Sequence, residues 1–201
     1  YIVLDKQLRM QADAATMDWI DSFTKKGQLK KLPNTFGGYS IKIFDNPELL
    51  DMEIQKRAKE SDSALSRVIA TYDWEYSSTR KPMVQDHLVK YWEVLIGKWH
   101  KPWNRELESE LTRKEKRDIK GLAWAEQPKT INEVGSTFTI QGFDLNYAGV
   151  ILGPSVKYRD GKIIFDPSAS HNEKAVRNRT LSDGTKKKFG ETLIQHEVRV
   201  L

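Results

Sequence analysis

Two short polar stretches in this chain carry residue types able to hold a charged ligand. The first is Gln141-Gly142-Phe143-Asp144, set between the β-branched run Ser136 to Ile140 and the apolar run Ala148 to Gly153. A glycine after a strand lets the backbone turn sharply or approach a ligand closely, and the flanking amide and carboxylate are hydrogen-bonding groups. Open parallel sheets hold their ligands at the carboxyl ends of strands, where such a turn would lie. On spacing alone a plain polar connection, with the aspartate capping a turn, explains these residues equally well. The second stretch is Gln7-Leu8-Arg9. Arg9 offers a planar, permanently charged fork that suits phosphate oxygens and, just as readily, a surface carboxylate.

Other chemistries are excluded by composition. Cysteine is absent, which removes disulfides, thiolate metal sites and cysteine nucleophiles. His87, His100, His171 and His196 are scattered without ligand-like spacing, so a zinc site is not expected. No Gly-x-x-x-x-Gly-Lys-Ser/Thr phosphate loop occurs, and no Asp-Glu strand end offers a magnesium site. Lys and Arg number 33 against 28 acidic residues, a formal charge of +5 that favours an anionic partner without identifying one. With 38% hydrophobic and 30% charged residues, no run long enough to span a bilayer and no signal-peptide layout, the chain reads as a soluble, cytoplasmic globular domain.

The elements that must position these residues follow from periodicity. "YIVLD" reads as a strand, and Ala15, Trp19, Ile20 and Phe23 recur at helical spacing before a stop at Gly27, predicting a helix that packs on a sheet. "YSIKIFD", from Tyr39, alternates as a half-buried strand. Asp45 or Asn46 then caps a helix with Pro47 in its first turn and Leu50, Ile54 and Ala58 on one face. "SRVIATYDW" is strand-like, and this alternation predicts a mostly parallel sheet with covering helices, an α/β fold. From about 75 to 128 the pattern becomes an irregular, tryptophan-rich insertion with a hairpin-like "HLVKYWEVLIGKW" and a solvated, mixed-charge loop at Arg113 to Lys120. "STFTI" and "AGVILG" read as two strands around the Gln141-Gly142 turn. Asp160-Gly161 predicts a tight primed hairpin. The stretch from Ser168 to Gly190 reads as a polar, basic, mobile loop, and "ETLIQHEVRVL" starts as a helix and ends on an apolar, strand-like run. Both ends fall inside apolar elements, so residues 1–201 are expected to be one domain of a longer protein.

Residues 133 to 154, "EVGSTFTIQGFDLNYAGVILGP", resemble the motif V region of superfamily 1 helicases, and "LDKQLRM" resembles motif IV with Leu8 in place of the usual tyrosine. With "DWI", "ATYDWEY" and "KPWN" they resemble the second, C-terminal RecA-like domain of the Schlafen-like DNA/RNA helicase-domain ATPases, a bacterial family. The resemblance implies a RecA-like fold of the P-loop NTPase type and a site for ATP with Mg²⁺ shared with an N-terminal RecA-like domain of the same chain. It implies that Arg9 points at the γ-phosphate with Gln7 orienting it, and that Asp144 contacts the ribose. It further implies that Gln141 and Gly142 shape the turn between the nucleotide and the strand-binding surface, and that Thr139 contacts a nucleic-acid phosphate. Trp74 stands where such proteins present residues to single-stranded DNA or RNA. An indole there can stack on a base, although packing is the commoner role for Trp74, Trp99 and Trp103. Lys186 to Lys188 with Arg177 and Arg179 suit backbone contact better than the Arg113 to Lys120 run, where acids and bases alternate.

The leading expectation is thus half of an ATP-dependent helicase or translocase. Lacking a phosphate loop, it should neither hydrolyse ATP nor bind it tightly by itself. An arginine-bearing motif VI would follow Leu201. A nucleotide-gated signalling or defence module that does not translocate uses the same fold, and so does a basic interaction domain with degenerate sites.

Overall fold

The computed structural model describes residues 12–33, 39–60, 65–84 and 87–201. Gln7, Arg9 and the strand expected at the amino end lie outside these residues. In chain order the first elements are helix α1 (Ala14–Thr24), helix α2 (Pro47–Glu60) and strand β1 (Ser66–Ala70). Two short hairpins follow, β2 (Met83–Val84) with β3 (His87–Leu88) and β4 (Glu93–Ile96) with β5 (Trp99–Pro102), then helix α3 (Arg113–Asp118). Strand β6 (Val134–Ser136), helix α4 (Thr137–Ile140) and strand β7 (Tyr147–Ile151) lead to the hairpin β8 (Val156–Arg159) with β9 (Lys162–Phe165). Helix α5 (Glu173–Val176), the hairpin β10 (Arg179–Thr180) with β11 (Lys186–Lys187) and helix α6 (Gly190–Val200) complete the order.

A parallel sheet in the order β6-β1-β7 forms the centre, with Val68 opposite Val134 on one side and Gly149 on the other. Strand β1 is buried at every position, as a strand covered on both faces must be. On one face Val68, Ala70, Val134 and Ile151 pack with Ile54 of α2. That helix starts where Asn46 accepts a hydrogen bond from the Leu49 N–H at 2.9 Å and Pro47 fills the first turn. Gly149 lets α2 come close, because a Cβ there would stand 2.8 Å from Ile54 Cγ1. On the other face Ile69 meets Trp124, Ala125 and Ile140. Among the described residues no helix is long and apolar enough to cross a membrane.

Several elements depart from the sequence expectation. Helix α1 packs away from the sheet: Phe23 joins a third cluster of Phe165, Ile194 and Val198, and the Gly27 carbonyl accepts from Ile163 N–H at 2.7 Å. Tyr39 to Phe44 form no strand. The 75 to 128 stretch is part of the core, since Val94, Trp99 and Trp103 belong to the first cluster and Trp103 bridges Val134 in parallel beyond the edge of the sheet. The charged run is helix α3, closed by a capping box in which the Thr112 hydroxyl and Glu115 carboxylate each accept the other's backbone N–H. The expected strand "STFTI" is β6 ending at Ser136 followed by α4. The polar stretch before Gly190 contains α5 and the β10–β11 hairpin, and α6 stays helical to Val200 instead of turning into a strand. The β8–β9 turn meets expectation, with Asp160 and Gly161 at φ 48° and 77°.

Candidate nucleotide-facing site

At the carboxyl end of β1 the chain runs through Thr71, Tyr72 and Asp73, and a polar cluster is built around them. The Thr71 hydroxyl donates to Asp73 Oδ2 at 2.9 Å and accepts from Gly153 N–H at 2.8 Å. Ser155 N–H donates to the same Asp73 oxygen at 2.8 Å. These bonds tie the end of β1 to the segment leaving β7. Gly153 is required there, because a Cβ would stand 2.5 Å from Asp73 Oδ2. Asp73 is only 5% exposed.

Glu197 reaches the same edge from α6. Its Oε1 accepts from Tyr72 N–H at 2.7 Å and from the Thr137 hydroxyl at 3.4 Å, joining the ends of β1 and β6. Burial, reinforced by the Asp73 charge, pushes the Glu197 carboxyl up to about 7, partly opposed by the Tyr72 and Thr137 bonds. Asp73 Oδ1, Ser155 Oγ and Glu197 Oε2 are buried without partners. Low-dielectric surroundings make such groups costly, and they cluster where open sheets hold ligands. Among the described residues no group of three or more histidines, aspartates or glutamates could hold a metal ion.

Tyr72 is the hub of this edge. Its carbonyl accepts from His171 N–H at 2.9 Å and the Ser170 hydroxyl at 3.2 Å, and its phenol accepts from Asn104 Nδ2 at 3.2 Å. Its ring meets Trp103 and, edge-on, Phe138. Burial raises the phenol to about 12. Asn104, in the left-handed region at φ 60°, donates its N–H to the Val134 carbonyl and accepts from the Ser136 hydroxyl at 2.9 Å.

Helix α4 and the following turn are shaped locally. The Thr139 hydroxyl accepts from Ser136 N–H at 2.8 Å and donates to the Ser136 carbonyl at 2.9 Å. Gly135 accommodates this, because a Cβ would stand 2.6 Å from both Thr139 Oγ1 and Trp124. Gly142, at φ +83°, ends the turn. The chain then returns across the sheet as a strap, with Phe143 and Leu145 packed on the second cluster and Gln141, Asp144 and Asn146 outside. Asn146 secures its far end by accepting from Leu65 N–H at 2.8 Å through its side chain and donating its own N–H to the Leu65 carbonyl.

The predicted residues Gln141, Gly142 and Asp144 therefore stand together on one exposed turn and strap. Thr139 supports that turn from inside, its hydroxyl committed to Ser136. Trp74 packs against the opposite core cluster, with its ring against Trp103 and its indole N–H donating to the Leu95 carbonyl at 3.2 Å. Sequence reasoning missed Thr71, Asp73, Asn104 and Glu197. The available signal was the polar "TYD" directly after the β1 run and "GPS" after the β7 run. Glu197 carried none, because its role depends on where α6 docks.

Residues 1–201 match the family described as Schlafen group 3, DNA/RNA helicase domain. A protein of Saccharomyces cerevisiae, described as uncharacterized, is 28% identical over 170 residues, covering 79% of this chain and 33% of its own length. The chain thus spans about a third of the length of that relative. No solved structure matches.

Proposed function

The chain belongs to the Schlafen group 3 DNA/RNA helicase domain family, and on that premise we propose that it is the C-terminal RecA-like half of an ATP-dependent nucleic-acid helicase or translocase. The observation that carries this reading is the exposed Gln141-Gly142-Phe143-Asp144 turn. Its side chains alternate, Phe143 anchored in the core and Gln141 and Asp144 held outside with no partner among the described residues. A polar pair held out beside a partly buried, core-packed anchor is an accessible face for a ligand.

The donor set fits a nucleotide. The unpaired Asp144 carboxylate would accept from ribose hydroxyls, the Gln141 amide and Gly142 backbone would shape the contact, and Arg9, oriented by Gln7, would meet the γ-phosphate. Loss of that phosphate supplies the free energy for movement. In this reading Mg²⁺ and the phosphate loop belong to the N-terminal RecA-like domain of the same chain. The half-site therefore senses nucleotide and does not hydrolyse it unaided.

Single-stranded DNA or RNA would lie over α4 and its neighbours. Thr139 acts there by holding the α4 turn in shape, and Trp74 supports the fold by packing on Trp103. ATP then shifts the population between open and closed clefts because the two states present different contacts.

Asp144→Ala in the intact protein tests the reading. Loss of a hydrogen bond to a charged acceptor is worth about 1.5–3 kcal/mol, so KM for ATP should rise by roughly tenfold or more with the thermal midpoint unchanged. An unchanged KM would overturn it.

A further inference from the structure

Residues 173–188 hold Lys174, Arg177, Arg179, Lys186, Lys187 and Lys188 against Glu173 and Asp183, a net +4 out of the +5 of the whole chain. All six bases are exposed, and none makes an ion pair among the described residues. Asp183 does little to neutralise them. Its carboxylate accepts from Thr185 N–H at 2.9 Å and the Thr185 hydroxyl at 2.6 Å, bonds that hold its pKa low and commit it to the turn.

The β10–β11 hairpin adds a cost of its own. Arg179 lies directly opposite Lys187, and like charges facing each other across an antiparallel pair are destabilising. A two-stranded ribbon of this size has little stability in isolation, yet it keeps this arrangement without an acid to relieve it. The nearest compensation is the Arg179 guanidinium over the Phe189 ring at 6.0 Å.

What holds the segment is its base. Before it, Ser170 and His171 both donate to the Tyr72 carbonyl; after it, α6 returns Glu197 to Tyr72 N–H. Both ends of the basic segment are thus tied to one residue at the carboxyl end of the central strand. Val176 packs on the third core cluster, and Gly190 lies so close to Pro167 that a Cβ would stand 2.7 Å from it. The bases are carried on a fixed mount beside the candidate site.

We propose that residues 173–188 are a basic arm that grips the phosphate backbone of single-stranded nucleic acid without reading its sequence. This rests on the reading of the domain as half of a nucleic-acid motor. The arm presents charge with little exposed apolar surface, which suits a polyanion contacted along its backbone. Its place at the strand ends puts that backbone next to the nucleotide-facing edge.

The test uses the intact protein and a variant combining Arg179→Gln, Lys186→Gln, Lys187→Gln and Lys188→Gln, titrated with labelled oligothymidylate and oligouridylate across a potassium chloride series. The changes are exposed and break no ion pair among the described residues, and relief of the Arg179–Lys187 opposition offsets loss of the Phe189 contact, so the thermal midpoint should hold. For single strands the logarithmic salt slope changes by about 0.7 per phosphate contact, so the variant should lose roughly 3 from its slope and at least tenfold in affinity at low salt. Wild-type binding with an unchanged slope and affinity in the variant overturns the arm and leaves the motor-half reading standing. Absence of oligonucleotide binding by the wild type overturns the arm and the strand-binding part of that reading together. Loss of binding to phosphatidylserine vesicles in the variant, with oligonucleotide binding intact, also overturns the proposal.

Discussion

Glu197→Gln is expected to make the protein more stable at neutral and alkaline pH and to flatten its stability between about pH 4.5 and 7. In the folded chain burial raises the Glu197 carboxyl from the usual 4.5 to about 7. Between those values the native state binds a proton that the unfolded state does not, so wild-type stability falls as pH rises through that window and the Glu197 penalty is complete and constant above it. At about 1.4 kcal/mol per pH unit the penalty is on the order of 3 kcal/mol. Glutamine cannot ionise, and its carbonyl can still accept from Tyr72 N–H, so the variant keeps the tie and loses the penalty. For a domain of this size each kcal/mol moves the melting temperature by about 2–4 °C. The difference between variant and wild type should therefore grow by roughly 6–12 °C between about pH 5 and pH 8. Burial also raises Glu106 and Glu133, but these groups act alike in both proteins and cancel in the difference. Thermal melts of the two proteins across pH decide the matter. Parallel profiles, or a variant that gains nothing at pH 8, would refute the placement of a buried carboxyl at this edge.

Two further substitutions probe the same edge. Gly153→Ala brings a Cβ to 2.5 Å from Asp73 Oδ2 and 2.8 Å from Asp73 Cβ; denaturant unfolding should show a loss of about 1–3 kcal/mol, the usual cost of overpacking. Trp74→Phe removes the indole bond to Leu95 and part of the contact with Trp103; stability should drop by about 1 kcal/mol while oligonucleotide affinity stays within about twofold. A tenfold affinity loss at unchanged stability would return Trp74 to the strand-contacting role that stacking on bases requires.

How far the fold was legible depended on whether an element's signal is local. Helix α2 announced itself through Asn46, Pro47 and the Leu50, Ile54, Ala58 stripe, and the β8–β9 hairpin through Asp160-Gly161. Helix α3 carries a local signal too, Thr112 and Glu115 at capping-box spacing, but its alternating charges fit a solvated loop as well. Thr137 to Ile140 misled for a different reason: β-branched residues favour strands only weakly, and the Ser136–Thr139 reciprocal cap prevails over that preference. Among the site residues, Gln141, Gly142 and Asp144 could be found because turn chemistry is written in consecutive positions. Asp73, Asn104 and Glu197 could not, because each acts on residues brought near by packing: Asp73 on Ser155, Asn104 on Ser136, Glu197 on Tyr72. The value of the basic segment was visible as composition, whereas its double attachment to Tyr72 was not.

The central claim is that this domain completes an ATP cleft in a nucleic-acid motor. Steady-state ATP hydrolysis by the intact protein, with and without single-stranded nucleic acid, for wild type and Arg9→Ala, tests it most directly. The account predicts a wild-type rate stimulated by the strand, and a fall of about 10³-fold or more in kcat when the arginine is removed with the fold retained. A rate indifferent both to the strand and to Arg9 would contradict it.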